Sequence, residues 1–469
     1  MDALRIYNTY TKKKEDFTPI DGKRVKMFVC GPTVYDLSHL GHARTYIAYD
    51  VMSRWLRYRG YDLFYLMNIT DIDDKIIEKA KKRNEKPSKI AKEFGKLFFR
   101  DIKSLDIDTI DLFAYTSKHM PEIIDQIRRL IQNGFAYITQ TGVYFDISKF
   151  EDYGKLSHQK PEELLRHRIE PDPNKRNKQD FSLWKKRNDG NFAWGSPWGD
   201  GRPGWHREDT AIAEKYLGYQ YDIHGGGVDL TFPHHEAEIT QMESISSKKP
   251  MVKYWVHTGF LKIKGKKMAK SLGNFISIQD ALKRYDLETL RIFLSSTHYH
   301  SNINFDEKSL KQAKRTLESL YSTIDNVKRA INSCLRLTDD ERIIKRKIKE
   351  NKKKFTEAMD DDFNTPSALS YLYILAKDTN KLLDKQGSIN ERLADNIIAT
   401  FKELGGIFGI LQKERLREEL SEDLEALIEE REKARERKDW RTADEIRNKL
   451  DEFGITLEDT SQGVRWKKK

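Results

Sequence analysis

The sequence predicts an α/β fold in which a Rossmann-like sheet domain is split by an insertion and followed by an α-helical bundle. Three observations predict it. Near the N-terminus, a buried strand, an amphipathic helix and a second buried strand follow one another, an order that favours a parallel sheet with right-handed crossovers. A polar tract and then a Trp/Gly/Pro-rich stretch interrupt this pattern. Past Ile303 the sequence is almost entirely helical and charged.

The sheet domain begins with an apolar run at residues 26–30, which predicts a buried strand leading into the loop Gly31-Pro32-Thr33. A helix is predicted over 43–59, with Gly60 as its stop, and a second strand over 62–69. The remaining predicted helices are 121–133 in the insertion, 309–332, 339–359 and 365–385 in the bundle, and a last pair at 421–438 and 441–453 before a basic tail.

These elements divide the 469 residues, which is length enough for about three domains. The predicted segments are 1–118 for the first half of the sheet domain, 119–222 for a connective insertion, 223–302 for the second half, 303–410 for the helical bundle and 411–469 for a small C-terminal region.

Composition excludes several classes of protein. No run of about 18 apolar residues is present and the first residues lack a signal pattern, so neither a membrane span nor export is expected. The two cysteines, Cys30 and Cys334, argue against a disulfide framework and favour a reducing cytoplasm. The net charge of +11 is typical of a protein that binds a polyanion such as a nucleic acid, and it is equally typical of a protein with a highly charged, well-solvated surface.

Two short motifs carry candidate chemistry. His39-Leu40-Gly41-His42 follows the first strand, and Lys267-Met268-Ala269-Lys270-Ser271 lies on a glycine-flanked loop much later in the chain. Histidines at a helix N-terminus can donate hydrogen bonds to phosphoryl oxygens, and lysines on a loop can hold a departing pyrophosphate. Each motif alone is weak, because most such peptides are ordinary turns or basic loops. Together and in this order they indicate a nucleotide site.

The first motif resembles the HIGH signature of class I aminoacyl-tRNA synthetases, and the second resembles their KMSKS signature with Ala269 in place of serine. The resemblance implies ATP, accompanied by Mg²⁺, as a substrate. It also implies catalytic roles for His39, His42, Lys267 and Lys270, and ATP binding by Gly41, Asp229 and Lys270.

The flanking sequence is more specific. Residues 28–36, 68–75, 204–208, 225–230 and 232–238 closely resemble cysteinyl-tRNA synthetases, and the resemblance runs over essentially the whole chain. In that family two cysteines, a histidine and a glutamate bind an active-site zinc. Cys30, His234 and Glu238 match three of these places, and Asp209 stands where the second cysteine is expected.

Zinc remains feasible with this departure, because aspartate is an ordinary zinc ligand and the ligand charge is unchanged. A His-x-x-x-Glu pair taken alone is more often a solvated face, so a metal-free thiol pocket or a different metal stays open. Zinc would suit the selection of cysteine, because it takes a thiolate far more readily than a hydroxyl. A plain pocket separates cysteine from serine by only about 1–3 kcal/mol.

The resemblance gives the remaining expectations. Thr70, Asp71 and Trp205 are expected to bind the amino-acid substrate, and Arg435, Arg437, Trp440, Arg447 and Trp466 to contact the tRNA anticodon. The implied partners are L-cysteine, ATP and tRNA(Cys), with the protein a cytoplasmic monomer. Two rivals remain: a cysteine-activating ligase of thiol biosynthesis, which would lack the anticodon-reading end, and a synthetase-like RNA-binding protein without activity.

Overall fold

The computed structural model describes residues 3–158, 172–187, 192–205, 207–268, 273–332, 336–414, 422–460 and 463–468. The chain divides into two compact units, one comprising Met1–Leu317, Lys354–Ser370 and Ile407–Gly409, the other Glu318–Lys353, Tyr371–Gly406 and Ile410–Lys469. None of the helices in this described part of the chain has the length and apolarity needed to cross a bilayer.

The strands in chain order are β1 Arg5–Asn8, β2 Lys13–Asp16, β3 Arg24–Val29, β4 Asp62–Ile69, β5 Leu112–Tyr115, β6 Ala136–Ile138, β7 Gly142–Phe145, β8 Phe181–Lys186, β9 Gly201–Pro203, β10 Tyr221–Gly227, β11 Val252–Thr258, β12 Leu261–Ile263, β13 Lys266–Lys267, β14 Ile303–Phe305, β15 Ile331–Asn332, β16 Ile389–Asn390, β17 Ile455–Thr460 and β18 Gly463–Lys468. The helices are α1 Leu40–Tyr58, α2 Asp74–Arg83, α3 Pro87–Ser104, α4 Met120–Gln132, α5 Glu208–Leu217, α6 Glu236–Ser246, α7 Ile278–Arg284, α8 Leu287–Ser295, α9 Glu307–Arg329, α10 Asp339–Asp360, α11 Thr365–Gln386, α12 Glu391–Phe408, α13 Glu422–Glu436 and α14 Trp440–Glu452.

The core of the first unit is a five-stranded parallel sheet in the order β11-β10-β3-β4-β5. Its strands are buried along most of their length, as expected for a sheet covered on both faces; five of the six residues of β3 are at least partly buried. The chain runs outward from β3 through β4 to β5 and then returns to the other side of β3 as β10. The order therefore reverses between β3 and β10, and ligands of open α/β sheets bind at the carboxyl ends of such strands.

The fold class predicted from the sequence is confirmed: an α/β domain with a parallel sheet, interrupted by an insertion, is followed by helices. The second predicted strand has the observed bounds of β4, whereas α1 begins three residues earlier than predicted. It begins at Leu40 because the side chain of His39 caps the helix. The periodicity of the apolar residues does not reveal a polar cap.

The insertion contains more sheet than its sequence indicates. Strands β6 to β9 form a four-stranded antiparallel sheet between α4 and α5. Two tryptophans of the Trp/Gly/Pro-rich stretch take part in its packing. Trp198 meets Trp184 edge-on, with ring centroids 6.2 Å apart, and Trp194 packs against Phe192 at 5.3 Å. Trp194 and Trp198 therefore stabilise the insertion itself.

The second unit ends in a small subdomain with its own core. Helices α13 and α14 pack against the antiparallel hairpin β17–β18. Four buried residues form its centre, Ile446, Leu450, Ile455 and Leu457. The sequence predicts the helical pair but treats the last residues as a basic tail. This tail is expected at 466–469; its described residues 466–468 instead belong to β18, which pairs in register with β17.

Candidate active site

The first motif lies at the N-terminus of α1, at the carboxyl edge of the sheet. His39 is the N-cap, and its Nδ1 accepts a hydrogen bond from the backbone N–H of His42 at 3.3 Å. Reciprocally, Nδ1 of His42 accepts from the backbone N–H of His39 at 3.2 Å, and the two rings stack with centroids 3.8 Å apart. Because each Nδ1 is an acceptor, each neutral ring carries its hydrogen on Nε2. Both histidines can therefore donate to an anion at the helix N-terminus.

Gly41 makes this stacked pair possible. A Cβ at position 41 would lie 2.7 Å from Cε1 and 2.8 Å from Nδ1 of His39. Real Cβ atoms essentially never come so close, so any larger residue would push the imidazole of His39 aside. The family resemblance implies that Gly41 binds ATP; the structure adds a contact within the motif itself.

The second motif is described only in part. Lys267 closes the short strand β13, which pairs with β12, and Met268 is buried. Lys270 lies outside the described residues. The chain that returns from this loop is joined to the first motif: the backbone N–H of Leu40 donates to the carbonyl of Ile276 at 3.1 Å, and that of Ile278 donates to the carbonyl of Ser38 at 3.1 Å. The segment at Ile276 and Ile278, a few residues beyond the second motif, therefore lies beside the first motif.

A buried cluster of four potential metal ligands lies at the same edge. Cys30, Asp209, His234 and Glu238 each present one ligand atom, and these atoms lie within 4.8 Å of one another. Oδ2 of Asp209 is 2.9 Å from Nε2 of His234 and 3.4 Å from Sγ of Cys30, and Oε1 of Glu238 is 3.1 Å from Nε2 of His234. The structure thus brings together the four residues that the sequence assigns to zinc.

Each of these residues is fixed by a different element. Cys30 directly follows β3, and its backbone N–H donates to the carbonyl of Gly225 at 2.9 Å. Asp209 lies in the first turn of α5. His234 and Glu238 are four residues apart, across the helical turn at Thr231–His235 and the first turn of α6, and so they share one face.

The electrostatics of the cluster favour a cation. Burial and the carboxylates of Asp209 and Glu238 raise the pKa of the Cys30 thiol well above its ordinary value. Burial, together with the neighbouring acids Asp209 and Glu208, raises the pKa of Glu238 strongly as well. Both carboxylate oxygens of Glu238 are buried and, in the described part of the chain, lie 3.1 and 3.4 Å from Nε2 of His234 and of His224 without a hydrogen bond of normal geometry. A bound divalent ion stabilises the ionised forms of thiol and carboxyl groups that are buried this close together.

Three histidines that surround the cluster are absent from the sequence prediction. Nε2 of His224 lies 3.4 Å from Sγ of Cys30, and Nε2 of His235 lies 3.1 Å from it. Nδ1 of His235 is 2.8 Å from Nε2 of His257, whose pKa burial lowers to about 3. Cys30, His224, His235 and Glu238 form a second, overlapping group of potential ligands. The available signal in the sequence is the position of His224, directly before the three glycines that end β10.

The predicted substrate residues lie around this cluster in different ways. The ring of Trp205 stacks on His234 with centroids 5.2 Å apart, so it covers one side of the cluster. Thr70 is also buried, and its hydroxyl donates a hydrogen bond to Oε1 of Glu208 at 3.3 Å. The carboxylate of Asp71 accepts two hydrogen bonds from Ser117, one from the backbone N–H at 2.9 Å and one from the hydroxyl at 2.5 Å. Among the predicted ATP-binding residues, Asp229 is exposed on the turn that follows β10.

The candidate anticodon residues belong to the C-terminal subdomain. Arg437, Trp440 and Arg447 are exposed, and Trp440 keeps 59% of its surface accessible. Trp440 and Arg447 are seven residues apart on α14, so they share one face of that helix. Arg435 is half-buried on α13, and Trp466 is placed by its backbone in β18, opposite Leu457.

Three family profiles match successive parts of the chain. The profile described as the class I (C) tRNA synthetase catalytic domain matches residues 16–315, the DALR domain matches 354–412, and the cysteinyl-tRNA ligase anticodon binding domain matches 417–466. The cysteine–tRNA ligase of Thermococcus gammatolerans is 45% identical over 473 residues, covering 99% of both chains. That of a Geobacillus species is 44% identical over 471 residues, covering 100% of both.

Solved structures are similar in fold. Mycobacterium tuberculosis methionyl-tRNA synthetase in complex with methionyl-adenylate matches with a TM-score of 0.62 at 16% identity, over 82% of this chain and 90% of that one. A putative arginyl-tRNA synthetase from Campylobacter jejuni matches with a TM-score of 0.58 at 14% identity, over 84% and 94%. Since the catalytic profile spans more than half of the chain and the curated relatives match it end to end, the chain belongs to the cysteinyl-tRNA synthetase family of class I aminoacyl-tRNA synthetases.

Proposed function

We propose that this protein activates L-cysteine with ATP, forming cysteinyl-adenylate and pyrophosphate, and transfers cysteine to the 3′ end of tRNA(Cys). The observation that carries the proposal is a buried Cys/Asp/His/Glu cluster at the same sheet edge as a helix N-terminus with two stacked histidines. This edge thus offers a thiol-selective site and an anion site. We further propose that the protein acts as a cytoplasmic monomer.

Zinc fits the cluster on two grounds. The buried oxygens of Glu238 receive no hydrogen bond of normal geometry within the described residues, and they lie beside Nε2 of His234 and of His224, at 3.1 and 3.4 Å, so a cation would satisfy acceptors that the protein leaves unbonded. The donor set of one sulfur, one imidazole nitrogen and two carboxylates also belongs to the ordinary ligands of zinc. When bound, zinc supplies a Lewis acid that prefers a thiolate to a neutral hydroxyl and so separates cysteine from serine. Cys30, Asp209, His234 and Glu238 would hold it.

The first motif serves the ATP half of the reaction. Attack of the cysteine carboxylate at the α-phosphorus builds charge on the phosphoryl oxygens and on the leaving pyrophosphate. The Nε2–H groups of His39 and His42, together with the N-terminus of α1, can stabilise that charge by hydrogen bonding and by the helix dipole. Mg²⁺ is proposed to accompany ATP, Lys267 and Lys270 to hold the pyrophosphate, and Asp229 to meet the adenosine ribose.

Gly41→Ala is expected to slow adenylate formation by about tenfold or more, because the new methyl group displaces His39 from its place beside His42. Cysteine binding should change little, since Gly41 is not part of the metal cluster. Cysteine-dependent ATP–pyrophosphate exchange measures the rate of adenylate formation, and the KM for cysteine in the same assay reports on cysteine binding. The control is Gly95→Ala, inside α3, where a Cβ meets nothing within 4 Å. Equal exchange rates for both variants would remove Gly41 from this role.

Asp209→Ala is expected to lower the zinc content of the purified protein and to raise the KM for cysteine, because one anionic ligand of the cluster is lost. Asp209→Cys should retain both zinc and activity, since it supplies a thiolate with the same charge. Elemental analysis and pyrophosphate exchange are the measurements, with serine in place of cysteine as the specificity control. Fully active native protein without bound metal would overturn the zinc assignment.

The same exchange assay separates the rival functions when it is run beside tRNA charging. An inactive RNA-binding protein would show no cysteine-dependent exchange. A thiol-biosynthesis ligase would show exchange but would not charge tRNA(Cys). Exchange together with charging is the expected result, and the region matching an anticodon binding domain at 417–466 favours it over the ligase.

A further inference from the structure

We propose that Asn68 is the positioning residue for the aspartate ligand: its carboxamide holds the Asp209 carboxylate so that only Oδ2 faces the metal site. This inference rests on the proposed metal role of the cluster. Asn68 is the last residue but one of β4, beside Cys30 at the end of β3, and it is 1% exposed. The sequence prediction of the site does not include it.

The hydrogen bonds of Asn68 fix which way its amide points. The backbone N–H of Gly31 donates to Oδ1 of Asn68 at 2.6 Å. A backbone N–H can only donate, so this contact identifies the oxygen, and the amide nitrogen must lie on the other side. Nδ2 then donates to Oδ1 of Asp209 and, at 3.2 Å, to the hydroxyl of Thr70.

This arrangement gives the two oxygens of Asp209 different partners. Oδ1 is engaged by Asn68, and Oδ2 is directed at Cys30 and His234, at 3.4 and 2.9 Å. A carboxylate can rotate and can offer one or two oxygens to a metal, whereas a thiolate has a single donor atom. A chain with aspartate at this ligand position therefore needs an orienting partner that a cysteine would not need. Hydrogen bonds from outside the ligand set commonly orient ligating carboxylates in this way.

Asn68 also joins two ligands through one side chain. Its oxygen holds the amide that follows Cys30, and its nitrogen holds Asp209. Removing the carboxamide would release the Asp209 carboxylate and loosen the turn after Cys30. Release of the carboxylate can weaken metal binding only when residue 209 is an aspartate. Loosening of the turn after Cys30 would weaken metal binding whichever residue stands at 209.

A double-mutant cycle in the full-length protein separates them. Asn68→Ala is made in the native chain and in the Asp209→Cys background, and Zn²⁺ affinity is measured by competition with a chelator. In the native background the variant should bind Zn²⁺ about 10–100-fold more weakly, the usual cost of losing such a partner. In the Asp209→Cys background the loss should be below about threefold. The visible spectrum of Co²⁺-loaded protein should change with Asn68→Ala in the native background only.

Two further variants keep the test informative. Asn68→Asp retains an acceptor for Gly31 but sets a carboxylate against Asp209, so Zn²⁺ affinity should fall at least about tenfold even if Asn68→Ala fails to fold. Thr109→Val removes a buried hydrogen bond to Asp50, which is not part of the cluster, and should leave Zn²⁺ affinity unchanged. Equal losses in both backgrounds, or no loss in either, would overturn the role of Asn68. Native protein that binds neither Zn²⁺ nor Co²⁺ would instead overturn the proposed metal site.

Discussion

Lys270→Ala is expected to slow adenylate formation by roughly 10²–10³-fold, the loss typical of one charge contact made in a transition state. The lysine belongs to the KMAKS motif, and pyrophosphate gains charge as it leaves. Although Lys270 lies outside the described residues, the chain that follows its loop is hydrogen-bonded to the segment around Leu40. The segment that follows the loop therefore lies beside the histidines that are proposed to bind the α-phosphate.

The effect should fall on the rate and not on cysteine binding, because the proposed cysteine site is the cluster around Cys30. Cysteine-dependent pyrophosphate exchange measures the rate, and the KM for cysteine should stay within about twofold of its native value. Lys266→Ala, an exposed lysine of the same hairpin outside the motif, is the matched control. Unchanged exchange in Lys270→Ala would remove this residue from the mechanism.

Truncation of the C-terminal subdomain is expected to leave cysteine activation intact and to reduce tRNA charging by at least about 10²-fold. Stacking of one base on an aromatic side chain is worth about 1–3 kcal/mol, so losing two or three anticodon contacts is enough for this fall. The bounds predicted from the sequence begin the C-terminal region at residue 411. In the structure Ile410 and Leu411 are buried, so a cut after Lys413 preserves the helical core of the second unit.

The measurements are kcat/KM for tRNA(Cys) in charging and the rate of pyrophosphate exchange without tRNA. The small core around Leu450 and Ile455 lies wholly beyond the cut, so the truncation removes a self-contained subdomain. Trp440→Ala in the full-length chain is the companion variant, since this side chain is exposed and contributes little to folding. The salt dependence of charging should be shallower in the truncated chain, because fewer phosphate contacts remain. Normal charging by the truncated chain would overturn the anticodon assignment.

Local sequence was sufficient for much of the fold. The apolar run of β4 and the long periodic helices α10 and α11 are set by burial of neighbouring side chains, which a short window of sequence records. The hairpin β17–β18 was missed because its strands are short and carry many charges. Such strands are stabilised by pairing and by packing against α14, which the window cannot show.

Membership of the cluster around Cys30 could be expected from the family resemblance, but its full environment could not. His224 and His235 come from β10 and from the turn before α6, and they meet Cys30 only because β10 returns to lie beside β3. The contact of Asn68 with Asp209 likewise joins residues that are far apart in the sequence. No local pattern encodes these contacts, because they are made by long-range packing.

By itself, the sequence determined the residues from which the chemistry is predicted: the two candidate nucleotide motifs, the cysteine, and the aspartate that departs from the family pattern. These features depend only on which residues are present and how they are spaced, and both can be read from the sequence. The tertiary structure alone decided where that chemistry is applied. The parallel order β10-β3-β4 puts the ends of three strands at one edge, and there Asn68 turns one oxygen of Asp209 toward Cys30 and His234. Orientation of a carboxylate depends on its partners across the sheet, and those partners exist only after the chain has folded.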